Sequence, residues 1–368
     1  MATKLLLPTR SAEVVRLQAA AGRLALTGEQ RIWLERLYEQ ALHLPDDTDH
    51  ELLLLLTRTY CRSEPIPEYY RYTHLHVFDW FLAKHVDPVS GAVLALETTL
   101  AALDDEERAA DPGTERVARL DAIREHLRTL PVAGGPAGRV IDEARADETR
   151  AWEMFALASC TGFTMSGRHD EQIFLRTVQA CELSYFVIRW LASWVVRTAD
   201  RDVVTAHARL RQLSAYADLP NRLFHLLQTL TPESFLEFRD ATGAASAVQS
   251  LNYHLMELAL YGYDARKAPI FERHEHLRAV NQYPLRVVRP LHLAVTATAH
   301  PGMEGVLREV ERALLTWRGR HYGFGARYLP GRPGSGGTEG AGYLKRFVGK
   351  DAVATVTPVP PPTHFAYR

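Results

Sequence analysis

The chain has 368 residues, 46% of them apolar, enough to bury one large core or two ordinary ones. Lys and Arg number 43 against 44 Asp and Glu, so a formal charge of -1 offers no basic field for nucleic acid or an anionic membrane and points to a small molecule or another subunit as partner. The longest unbroken apolar run, Leu52 to Leu56, is too short to cross a bilayer, Leu5–Leu7 is too short for a secretory segment, and the chain reads as cytoplasmic.

From the N-terminus, apolar residues recur at three- and four-residue intervals, as in Val14–Leu17–Ala21 and Ile32–Leu34–Leu37–Leu42, which predicts amphipathic helices. Strand-like alternation is scarce, so the fold class is all-α. Cys61 lies in this part and Cys160 and Cys181 beyond it. The three form no CxxC or CxxCH, which leaves no sign of a disulfide framework, a zinc ribbon or covalent haem attachment. The stretch PVAGGPAG, Pro131 to Gly138, cannot continue a helix because proline lacks the donor and glycine raises the entropy cost. Dividing the chain there gives an N-terminal helical region of unassigned role (1–130), a connecting segment (131–165), a helical domain (166–356) and a Pro-rich tail (357–368) that is extended or flexible.

Between Asp170 and Asp200 a nearly continuous helical pattern runs through Phe174, Val178, Cys181, Tyr185 and Ile188. Next comes Phe235-Leu236-Glu237-Phe238-Arg239-Asp240, leading into the small-residue stretch Thr242 to Ser250. An arginine between aromatics and a tight turn suits a carboxylate, because its planar fork makes two parallel charge-assisted bonds; an ordinary surface ion pair is the alternative. Farther on, Trp317-Arg318-Gly319-Arg320-His321 ends a predicted helix that starts near Met303 and leads into the glycine-rich run Leu329–Gly342 with Ser335. A helical histidine beside a roomy loop suits a haem iron, with a half-buried histidine bonded to backbone as the alternative. The run Gly334-Ser335-Gly336-Gly337 lacks the Lys-Ser/Thr of a phosphate cradle. Two HxH pairs, His74/His76 and His274/His276, lack a completing carboxylate or cysteine set and read as solvated or core histidines.

Taken together, these segments resemble the tryptophan 2,3-dioxygenase family in order and character. The resemblance lies in DExxFxxTxQAxEL (Asp170 to Leu183), FLEFRxxxGxASxxQS (Phe235 to Ser250), WRxxH (Trp317 to His321) and the GTGGSxGxxYL-like run Gly334 to Leu344. It implies an all-α bundle of that family's type with an additional N-terminal helical region. It also implies haem b bound without a covalent link, with His321 as proximal iron ligand and Trp317, Gly336 and Gly337 about the cofactor. By the same resemblance Arg239 takes a substrate carboxylate, Ser335 (where the family usually has threonine) takes the ammonium, Phe174 and Phe235 wall an aromatic pocket, and Ser246 lies over the distal face. A free aromatic amino acid does need one cationic fork, one hydroxyl acceptor and a flat apolar slot. The implied partners are that amino acid and O2, in a homo-oligomer.

The chain departs from the family where the distal histidine of HQAxEL becomes Val178. The aromatic that follows is Ser184, and the glycine-aromatic pair after the pocket serine is Ala247-Val248. A valine cannot accept a bond from an indole N–H, although oxygenation of an electron-rich indole need not begin by removing that proton. The leading reading is therefore a haem-dependent oxygenase of tryptophan or a substituted or tryptophan-derived aromatic amino acid. The alternatives are an enzyme inserting one oxygen atom on the same scaffold, by tyrosine hydroxylation or oxindole formation, and a non-catalytic haem sensor.

Overall fold

A computed structural model describes residues 5–350 apart from 21, 46, 64 and 287; the Pro-rich tail lies outside the described residues. Among the described residues there are nineteen α-helices, several short 3-10 turns and one two-residue hairpin, the all-α class that the periodicity predicts. None of the helices is long and apolar enough to cross a membrane.

The helix His169–Thr198 is the axis of the bundle, with 21 of its 30 residues buried. Its buried residues fall on several faces, so other helices must surround it. It is covered by Pro88–Ala110, Val203–Ala217, Leu219–Leu227 and Leu251–Tyr261. Asp170 and Glu171 in its first turn and Arg197 in its last complement the helix dipole.

The stretch PVAGGPAG interrupts the helices as an antiparallel hairpin that pairs Pro131 with Pro136 and Val132 with Gly135. The carbonyl of Pro131 accepts from Gln212 Nε2 at 2.9 Å and Tyr216 Oη at 3.0 Å, so the turn is fastened to the helix Val203–Ala217. The apolar core continues past it, from Val14 to Phe347, so the N-terminal helices share a core with the rest.

One helix boundary differs from expectation. The helix that carries His321 runs from Pro301 to Tyr328 and continues two turns beyond the histidine. Gly319, Gly323 and Gly325 weaken helix propensity there, but tertiary contacts outweigh it. Tyr328 is buried and donates its hydroxyl to the Leu230 carbonyl at 2.6 Å. At Gly325 a β-carbon would stand 2.8 Å from Leu344 Cδ1, so the glycine lets the helix Ala341–Arg346 lie close.

Candidate active site

Two long helices face each other across a cavity of about 220 Å³. Along His169–Thr198, Phe174, Val178, Cys181 and Tyr185 recur at helical spacing, and all four line the cavity. Along Pro301–Tyr328, His321, Phe324 and Gly325 line it, with Trp317 one turn earlier. A third helix, Pro232–Arg239, is started by a reciprocal Thr231/Ser234 cap and contributes Phe235 and Arg239. The turn after it brings Ser246, Ala247 and Val248 to the wall, and the glycine-rich loop brings Gly334, Ser335 and Thr338.

Of the residues singled out in the sequence, Phe174, Val178, Phe235, Arg239, Ser246, His321 and Ser335 therefore meet on one cavity. Three others do not line it. Trp317 is fully buried behind the histidine, its ring 5.9 Å from that of His321 and 5.5 Å from that of Tyr185. Gly336 is instead where the loop seats: a β-carbon there would fall 2.4 Å from Val248 Cγ2 and 2.8 Å from Ser246 Oγ. Gly337 has φ +72 and gives its carbonyl to Arg273 at 3.1 Å, which also holds the Gly336 carbonyl at 3.2 Å.

The aromatic walls form a continuous cluster. Phe174 lies 5.4 Å from Phe235 and 5.6 Å from Phe238, and Phe235 meets Phe324 edge-on at 5.8 Å. Arg239 donates to the Pro333 carbonyl at 2.7 Å, and Ser335 donates to the Ala245 carbonyl at 2.8 Å; both bonds close the loop over the site.

Burial holds the His321 imidazole neutral by lowering its pKa to about 4, against a weaker upward pull from Glu257. Among the described residues neither of its ring nitrogens has a hydrogen-bond partner; its neighbours are the rings of Phe224 at 4.9 Å and Trp317. Burial likewise pushes up the Cys181 thiol and the Tyr185 and Tyr253 phenols, so these wall groups stay protonated. No group of three His, Cys, Asp or Glu that could hold a bare metal ion occurs among the described residues. The donor set suits haem, which supplies its own four nitrogens and asks the protein for one neutral imidazole between apolar walls.

Sequence reasoning did not find Tyr69 and Tyr72, which reach the cavity from the short helix Glu68–Thr73. The motif residues explain how that helix is held. Buried Glu182 accepts from Tyr69 Oη at 2.8 Å and Asn252 Nδ2 at 3.2 Å. Gln179 Nε2 donates to the Thr73 carbonyl at 3.0 Å, and Gln249 Oε1 accepts from Tyr69 N at 3.1 Å. The polar residues of QAxEL and of the QS turn thus fasten an N-terminal helix onto the site. The spacing of Phe174, Val178, Cys181 and Tyr185 is a usable signal for the last two, but nothing local marks Tyr69 or Tyr72.

A helical bundle enclosing one unbonded imidazole within aromatic walls has the form of a haem-dependent oxidoreductase, and comparison with known proteins agrees. Residues 158–283 match the tryptophan 2,3-dioxygenase family model. The tryptophan 2,3-dioxygenase of Caulobacter vibrioides is 27% identical over 222 residues, 49% of this chain and 84% of that protein. Those of Bacillus thuringiensis strain Al Hakam and Geobacillus thermodenitrificans are 28% and 25% identical, each over 50% of this chain and 80% of the relative. The chain is thus similar to tryptophan 2,3-dioxygenases over about half of its length.

Proposed function

We propose that the protein binds one haem b per chain through His321 and uses O2 to oxygenate tryptophan or a substituted or tryptophan-derived aromatic amino acid, working as a cytoplasmic homo-oligomer. The observation that carries this reading is the convergence of His321, Arg239, Ser335, Phe174, Phe235, Ser246 and Val178 on one cavity. Bound haem would supply the iron at which O2 is activated. Arg239 spends one N–H on the Pro333 carbonyl and stands 3.9 Å from the exposed carboxylate of Asp240, beyond hydrogen-bond reach, which leaves donors to fork a substrate carboxylate. Ser335 donates to Ala245, which leaves its lone pairs to accept from an ammonium. Phe174 and Phe235 offer a slot for a flat ring, and Ser246 supplies a hydroxyl to the same cavity.

Val178 gives that slot a side chain unable to hydrogen-bond a ring N–H, so the pocket does not demand an indole, and insertion of one oxygen atom is the second reading. The test starts from the purified chain, whose visible spectrum and acid–solvent extraction should reveal non-covalent haem. His321→Ala should lose or badly weaken it, and full retention with an unchanged spectrum overturns the ligand assignment. A screen of tryptophan, its ring-substituted relatives and tyrosine, read by mass, then separates two added oxygen atoms from one.

A further inference from the structure

Beside the apolar cavity lies a second one, of about 370 Å³, with an opposite character. Its lining includes Glu257, Asp264, Lys267 and Lys350. Glu257 is buried with both lysines on one carboxylate oxygen: Lys267 pairs with it closely, and Lys350 Nζ lies 3.3 Å away. Lys350 also reaches Asp264 at 3.0 Å. Lys267 and Lys350 expose only 2% and 3% of their side chains, so both charges sit in a low-dielectric interior. A buried ion pair of this kind is weak as a source of stability, because desolvation offsets most of the attraction. Its presence calls for another role.

The cluster adjoins the histidine wall. Glu257 and Tyr253 lie one turn apart on the helix Leu251–Tyr261, and Lys267 Nζ stands 3.4 Å from Tyr253 Oη and 4.5 Å from the centre of its ring. Tyr253 lines the apolar cavity and packs edge-on against Trp317, with ring centres 5.9 Å apart; Trp317 in turn lies one turn before His321.

Resting on the reading of His321 as haem ligand, we propose that the Glu257–Lys267 pair sets the reduction potential of the bound haem, Glu257 lowering it and Lys267 raising it. Ferric haem carries one more positive charge than ferrous, so a fixed negative charge nearby stabilises the ferric form and a fixed positive charge the ferrous. Both residues are positioning residues that act through the field at His321.

The experiment is a spectroelectrochemical titration of the full-length holoprotein with Glu257→Gln, Glu257→Asp and Lys267→Met, each checked for haem content and helical circular dichroism. The midpoint should rise in Glu257→Gln, fall in Lys267→Met and stay near the parent in Glu257→Asp. Opposite signs from opposite charges are what a general loosening of the site would not produce. A midpoint that stays put in both charge-removing variants, or moves the same way in both, overturns the proposal. If Glu257→Gln fails to hold haem, the fall in Lys267→Met decides. A parent chain that binds no haem defeats the reading of the site and this proposal with it; a parent that binds haem through His321 with unmoved midpoints defeats the proposal alone.

Discussion

The two cavities each contain a histidine that burial holds neutral, His321 with a pKa lowered to about 4 and His254 to about 3, yet the two imidazoles are fitted for different work. His254 bonds the Val248 carbonyl through Nε2 at 2.8 Å, so that nitrogen carries the proton and the ring is tied to its own turn. His321 has no hydrogen-bond partner among the described residues, and the rings of Phe224 and Trp317 lie beside it. Charge state therefore does not distinguish a structural histidine from a ligand; what the nitrogens touch does. The walls differ too, for the charged cavity pairs its lysines with its own carboxylates and the apolar one leaves Arg239 and Ser335 with capacity for something that comes from outside.

If that contrast is right, the largest effect of a polar substitution in the apolar cavity falls on ligand binding. Arg239→Lys keeps the charge and loses the fork, and should weaken amino-acid binding by about 2–3 kcal/mol, read by titration of the holoprotein with substrate. Unchanged affinity would show that the carboxylate is held elsewhere.

In the charged region the effect should fall on stability. His254→Ala leaves the Val248 carbonyl without its partner and should cost about 1–3 kcal/mol in urea denaturation, with haem retained. Loss of haem at unchanged stability would reverse the roles assigned to the two histidines.

How far the sequence discloses this arrangement depends on how local each signal is. The helical class follows from three- and four-residue periodicity, and Phe174, Arg239, His321 and Ser335 are marked by short motifs, so all four could be named before any packing was known. The tyrosines of Glu68–Thr73 reach the site through bonds to Gln179, Glu182 and Gln249, more than a hundred residues away, and no window of sequence contains both ends. The helix beyond His321 was hidden for a different reason: its glycines read as an ending, and only contacts with Leu230 and Leu344 reverse that. The ion cluster joins Glu257, Lys267 and Lys350, which look like ordinary surface charges until burial is known.

The smallest predicted effect tests the cavity wall that carries Val178. With Val178 in place of an acceptor, the parent should treat tryptophan and its N1-methyl analogue nearly alike. Val178→His should add a preference for the free N–H of about 0.5–1.5 kcal/mol, a several-fold change in the kcat/KM ratio. Strong discrimination in the parent that Val178→His leaves unchanged would mean that another group reads that nitrogen.

The seat of Gly336 on Val248 has a consequence for how this lineage can change. An aromatic residue at position 248 would need the space that the loop backbone now fills, since even a single added carbon on Gly336 collides with the valine. Position 248 and the path of the loop are thus locked to one another, like a tenon and its mortise. A variant with a bulky residue at position 248 must re-route the loop at the same time, so changing the pocket there requires exchanging the two segments as a unit.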